Sequence, residues 1–400
     1  MRDACPDPLI YYLHAAALAH HQAVFGAGFG EDPPYPGPPE AAIAANAADL
    51  SVWDLAEASS ARLTAMTSGI DKWRAHPFRR HMPEPPVIWA EGSARLLDYG
   101  RSEMGQPVLV VPSLINKPYI LDLMEDASFL RYLAQTGLRP VLLDWGSGRY
   151  GLGGPQTIDA YMSDILHPAF SHLADATGTT PGVLGYCMGG TLAVGLSARL
   201  GTKIDRLALI GAPWDFSQLA GVSQALKSHS QQVGVEKLRA GLQAMGQHFG
   251  AVPAQVFQQL FAFLSPMQVV QKFSAFDKTP LKSAAAHKFV AVEDWLADGV
   301  CVKAPTAETI LVDWYLENRT GRGQWHLGGA PVDPGQIACP TLVITGQKDH
   351  IVPPALAAPL ADAVPNAQHV SVDMGHVGMI VGSRAHALVA DRISDFFDVK

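Results

Sequence analysis

From residue 87 to residue 212, short apolar runs alternate with longer stretches of helical periodicity. Segments 87–90, 95–99 and 107–112 read as strands, and the last lacks polar residues, as expected where both faces of a strand are covered. A helix over about 121–135, a strand at 139–144, a helix over about 157–174, a strand ending at Leu184 and another at 207–210 follow. The pattern resumes after residue 327 with strands at 340–345 and 368–372. This order predicts the α/β class: a doubly wound, mostly parallel sheet with helices on both faces. Sites in such sheets gather at the carboxyl ends of strands.

Two regions break the pattern. Residues 1–80 carry two helical patterns around the proline-dense stretch 32–39 and are expected to form an N-terminal extension. Between residues 213 and 326 the strands stop and helices rich in large apolar residues such as Val256, Phe257, Leu260 and Phe261 take over. This segment reads as an inserted, mainly helical cap that roofs the site, its aromatic residues forming the cap's own core. The α/β core is then 81–212 together with 327–400.

Composition narrows the classes. With 400 residues, 48% hydrophobic and 16% charged, the chain can bury a large core. A net charge of −8 supplies no basic stripe for a phosphate backbone, so nucleic acid is not an expected partner. No apolar run reaches the roughly 18 residues of a spanning helix, and an acid and histidines interrupt the N-terminal apolar stretch that a secretory signal would need. Cys5, Cys187, Cys301 and Cys339 are widely spaced with no Cys-x-x-Cys pair, which suits free thiols in a reducing cytosol rather than a disulfide frame or a metal site.

The candidate chemistry centres on Gly185-Tyr186-Cys187-Met188-Gly189-Gly190, set between a strand and a helix. Glycines two places before and two after a displayed residue mark the tight turn of a nucleophile elbow, here with Cys187 as nucleophile. The turn sets the sulfur at a helix N-terminus, whose dipole favours negative charge, and offers the Met188 N–H to an oxyanion. Taken alone, such a cysteine is equally a small core residue. Asp349 follows the strand 340–345, and alone it would read as a cap for a helix entering at Pro353 and Pro354. His376 follows the strand 368–372 in a glycine-lined loop, Gly375-His376-Val377-Gly378. Together Cys187, Asp349 and His376 follow predicted strands in the order nucleophile, acid, base, which predicts a Cys-His-Asp triad. The loop Ser113-Leu114-Ile115-Asn116 after the strand 107–112 is placed to give the second oxyanion N–H, from Leu114 or Ile115.

With these residues in view, the chain resembles the polyhydroxyalkanoate (PHA) synthases, particularly the class III catalytic subunit, over roughly residues 95–398. The resemblance is carried by Pro112-Ser113-Leu114-Ile115-Asn116-Lys117-Pro118-Tyr119, Leu143-Asp144-Trp145-Gly146, the Cys187 elbow, Trp314-Tyr315-Leu316-Glu317-Asn318, Asp349-His350-Ile351-Val352-Pro353-Pro354 and Gly375-His376-Val377-Gly378. It departs where Gly146-Ser147-Gly148-Arg149 stands in place of an early proline, and in the cap at residues 292–300. The resemblance implies an α/β-hydrolase fold and an acyltransferase that polymerises 3-hydroxyacyl-CoA through an acyl-cysteine, releasing CoA, with no metal or bound cofactor. It further implies a polyester chain or granule as partner, a second synthase subunit or a homodimer, and a cytoplasmic location at granules. The alternative is a cysteine-nucleophile hydrolase, an intracellular polyester depolymerase or acyl-CoA thioesterase, in which water is the acceptor.

Overall fold

The computed structural model describes residues 52–102, 105–146, 154–219, 221–264 and 266–398. The proline-dense stretch, Cys5 and the first helical pattern lie outside the described residues. The chain divides into two compact units. The larger takes in residues 81–219, 230–254 and 299–400; the smaller combines the chain up to Arg80 with 220–229 and 255–298.

The larger unit is built on an eight-stranded sheet. Its strands are β1 (Val87–Glu91), β2 (Ala94–Asp98), β3 (Gln106–Val111), β4 (Leu138–Asp144), β5 (Gly182–Tyr186), β6 (Leu207–Ile210), β7 (Thr341–Gly346) and β8 (Ala367–Val372). Their spatial order is β1-β2-β4-β3-β5-β6-β7-β8. β1, β2 and β4 pair antiparallel and every later pair is parallel. Exposure explains the composition. The central strands β5, β6 and β7 are buried at every residue, while the edge strands β1 and β8 expose alternate or adjacent positions. Helices on both faces bury the middle of a parallel sheet, and only its edges meet water.

One predicted helix is shorter than its periodicity suggested. The segment at 121–135 is helical only from Phe129 to Gln135, preceded by the one-turn helix Pro118–Leu121 and a small ribbon of Asp122–Met124 with Ala127–Ser128. The cause is Asp122, almost fully buried, whose carboxylate accepts from Ser128 Oγ at 2.6 Å, Arg131 Nε at 2.8 Å, Arg131 Nη2 at 3.0 Å and Tyr99 Oη at 3.2 Å. Ser128 in turn accepts the Arg131 N–H and starts the helix there. Four donors converging on one buried acid fix the end of the segment that runs on from Leu114 and Ile115.

In the smaller unit the helix Val52–Ala75 lies along the helix Pro266–Asp277, with Met66, Ile70, Trp73, Val269, Phe273 and Phe276 in its core. Lys72 Nζ donates to the carbonyls of Phe276, Asp277 and Thr279 at 3.0, 2.6 and 2.6 Å, satisfying the C-terminal end of that helix. No helix among the described residues is long and apolar enough to cross a membrane.

Removing the buried acid in Asp122→Ala takes away the acceptor shared by Ser128, Arg131 and Tyr99 and is expected to cost about 3 kcal/mol. Urea unfolding followed by near-UV circular dichroism measures this, and a loss below about 0.5 kcal/mol would show that the anchor carries no stability.

Candidate active site

β5 ends at Tyr186 and the helix Met188–Leu200 begins two residues later, so Cys187 makes the whole turn. Its backbone sits at φ 56° and ψ −132°, a region that side chains with a Cβ rarely enter. Two hydrogen bonds hold it there: Cys187 N–H to Ile210 O at 2.9 Å continues the β5–β6 ladder, and Gly190 N–H to Cys187 O at 2.8 Å closes the first helical turn. The flanking glycines are demanded by contact. A Cβ at Gly185 would lie 2.5 Å from Gly190 Cα, and one at Gly189 would lie 2.1 Å from the Val111 carbonyl oxygen.

Asp349 lies in the turn after β7, and both its oxygens are committed. Oδ1 accepts from the N–H groups of Ile351 and Val352 at 2.9 and 2.7 Å, while Oδ2 lies 2.6 Å from His376 Nδ1. Asp349 does not cap the helix Pro354–Ala357, whose N-cap is Pro353 with no side-chain hydrogen bond; its Oδ1 closes the turn before that helix instead. The loops after β7 and β8 are tied by Gln347 N–H to Val372 O at 2.8 Å and Lys348 N–H to Met374 O at 3.1 Å, which brings His376 over Asp349. Asp349, His376 and Cys187 are 2, 7 and 8% exposed, so the group is screened from bulk water.

Asp349 is at hydrogen-bond distance from the imidazole, and Cys187 is near enough to act on it electrostatically. Burial pulls the His376 value down, but the negative charges of Asp349 and Cys187 and its hydrogen bond to Asp349 outweigh burial and hold it well above the ordinary imidazole value of 6.5. The free thiols differ in setting: Cys339 is buried in the core, where desolvation pushes it up to about 11, and Cys301 is half-buried.

The Met188 N–H is the first of its helix and no carbonyl within the helix can reach it. In the loop after β3, the Ile115 N–H donates to Ser113 Oγ at 3.4 Å and the Ile115 carbonyl accepts from Val300 N–H at 3.3 Å. Trp145, at the end of β4, donates from Nε1 to Pro112 O at 3.0 Å and packs edge-on against Tyr161, supporting the same loop. Beside it lies a small cleft, open to solvent, whose lining includes Leu114, Lys117, Trp145, Tyr161, Cys301 and Lys303. Asn318, at φ 54°, accepts from Phe216 N–H at 2.7 Å and donates to Asp215 Oδ1 at 2.8 Å, fixing the chain after β6.

Sequence reasoning passed over Tyr186. It is 3% exposed, and its ring stacks on the His376 imidazole with centroids 5.1 Å apart and planes 26° apart. Its place immediately before the displayed cysteine was the available signal.

A strand order of this kind, with a side chain displayed at the β5 turn and an acid and a base on the loops after β7 and β8, defines an α/β hydrolase. A family model described as alpha/beta hydrolase fold matches residues 106–383, and the chain belongs to that family. Among individual relatives it is similar to the poly(3-hydroxyalkanoate) polymerase subunit PhaC of Haloferax mediterranei, 31% identical over 318 residues that cover 78% of this chain and 63% of that one. The protein of the same name from Haloarcula marismortui is 29% identical, with 78% and 66% covered, and that from Allochromatium vinosum is 27% identical, with 78% and 87% covered. The chain therefore spans just under two thirds of the length of the first two relatives.

Because the folded His376 value lies above 6.5, the stability it contributes is complete below that pH and is lost as pH rises through the folded value. Asp349→Asn is expected to move the titration midpoint of the His376 ring protons downward in NMR and to reduce stability below pH 6.5. An unmoved midpoint would show that Asp349 does not act on the ring.

Proposed function

We propose that this protein is a polyhydroxyalkanoate synthase-like acyltransferase in which Cys187, His376 and Asp349 carry out the chemistry. The observation that supports the reading best is the buried His376–Asp349 pair, 2.6 Å apart, in a chain that displays Cys187 at a positive-φ strand-to-helix turn.

In the proposed cycle His376 takes the Cys187 proton and the thiolate attacks the carbonyl carbon of a 3-hydroxyacyl-CoA. With Nδ1 committed to Asp349, the proton travels through Nε2. Charge developing on the carbonyl oxygen meets the Met188 N–H and a loop N–H. Since the Ile115 N–H already donates to Ser113, Leu114 is the favoured loop donor. Collapse breaks the carbon–sulfur bond to CoA, whose thiolate leaves with the proton from His376. The 3-hydroxyl of a second unit then gives its proton to His376, its oxygen attacks the acyl-Cys187 carbonyl, an ester bond forms and the sulfur is released.

Sulfur suits this sequence. Exchanging one thioester for another is nearly neutral, so the acyl group stays reactive toward a hydroxyl, whereas an oxyester on serine would lie lower. Charge at the proposed entry also suits it: on a chain of net charge −8, Lys117 and Lys303 line the pocket beside Leu114, where the phosphates of a CoA ester need local cations. The cycle calls for no metal or organic cofactor. A polyester granule surface and a second synthase subunit or second copy are the partners proposed with it, in the cytoplasm.

Incubation of the full chain with 3-hydroxybutyryl-CoA is expected to release CoA and deposit an insoluble polyester, and Cys187→Ala is expected to lower CoA release roughly 1,000-fold or more. Free 3-hydroxybutyrate in place of polymer would make water the acceptor and the protein a hydrolase. Undiminished turnover in Cys187→Ala would remove the covalent mechanism.

A further inference from the structure

The hydrogen bond between Asp349 and His376 fixes Nδ1 but does not by itself set the tilt of the ring plane, and so the direction of the opposite nitrogen. Productive transfer needs the opposite nitrogen aimed at sulfur, so a second constraint is required. Tyr186 sits where that constraint must act. Its ring covers a face of the imidazole at 5.1 Å and 26°, its hydroxyl donates to the His376 carbonyl at 3.4 Å, and it is the residue bonded to Cys187 in the chain. We propose that Tyr186 is a positioning residue for the base: its stacked ring stops the imidazole from rotating out of line with sulfur and steadies the imidazolium by its π face. The proposal rests on the reading of Cys187 and His376 as nucleophile and base.

The charged groups acting on His376 are Asp349 and Cys187. Tyr186 faces them uncharged, because burial first, and then the nearby charges of Cys187 and Asp349, push its phenol well above the ordinary value of 10. The ring's contribution is therefore that of an aromatic face. Because Tyr186 and Cys187 are neighbours in one strand-to-elbow turn, any shift of the nucleophile carries the ring with it. The register of sulfur and imidazole is thus built into two consecutive residues rather than assembled from distant loops alone.

The test is alkylation of Cys187 by iodoacetamide in the full chain from about pH 5 to 9, read on the Cys187 peptide by mass spectrometry so that other thiols do not interfere. Tyr186→Phe keeps the ring and is expected to stay within about threefold of wild type at every pH. The ringless variants Tyr186→Leu and Tyr186→Met are expected to fall about tenfold at neutral pH, with the midpoint at which the His376 ring protons titrate moved downward because the imidazolium loses its cover. An unchanged profile in both, or an equal drop at all pH values with the midpoint unmoved, overturns the proposal. In the wild-type chain, which involves no folding risk, the His376 ring protons are expected upfield from the ring current of Tyr186, and random-coil positions would overturn it too. If His376→Asn alkylates like wild type, the catalytic reading itself fails; if only the Tyr186 variants match wild type, the positioning role alone fails.

Discussion

The backbone of Cys187 is the constraint on which the site depends. A residue with a Cβ at φ 56° and ψ −132° stores strain of about 1–3 kcal/mol and persists only where its surroundings over-determine it. Here β6 holds the amide, the first helical turn holds the carbonyl, and the Gly189 backbone lies hard against the end of β3. Relaxing any of these would let φ return to negative values and draw the sulfur back toward the sheet. Close packing of β3, β5, β6 and one helix therefore does the aiming, and the helix that opens at Met188 supplies a donor at the same point.

A second constraint comes from burying charge. A carboxylate removed from water must find partners for each oxygen. Asp349 finds two backbone N–H groups on one side and an imidazole on the other, so its geometry leaves little freedom. The low exposure that would discourage a charged imidazole also strengthens its attraction to Asp349 and Cys187, and attraction prevails. On the proposed reading, the energy of the ion pair is spent on orientation and proton affinity at His376, where the chemistry needs it.

Family membership and chemistry are separate questions in this fold. The alpha/beta hydrolase fold accounts for strand order, elbow and the positions of acid and base, and many reactions share that frame. Beyond that frame, this chain displays a sulfur at the elbow and has a cleft beside Leu114 with Trp145 and Tyr161 as apolar walls and Lys117 and Lys303 in its lining.

Much of this was legible in the amino-acid order alone. Apolar runs such as 107–112 announce strands buried on both faces, because hydrophobic periodicity is a local property, and the spaced glycines around Cys187 announce a turn that only missing Cβ atoms permit. That Cys187, Asp349 and His376 each follow a predicted strand, in that order, was readable for the same reason. Tertiary structure alone decided the rest. The helix expected from residue 121 starts at Phe129 because Asp122 gathers donors from Tyr99, Ser128 and Arg131, and the helix Val52–Ala75 lies against one more than 190 residues later. Likewise Tyr186 reads as one more buried aromatic until His376, 190 positions on, folds over its ring. Contacts between residues far apart in sequence depend on where loops close in space, and no local pattern encodes that.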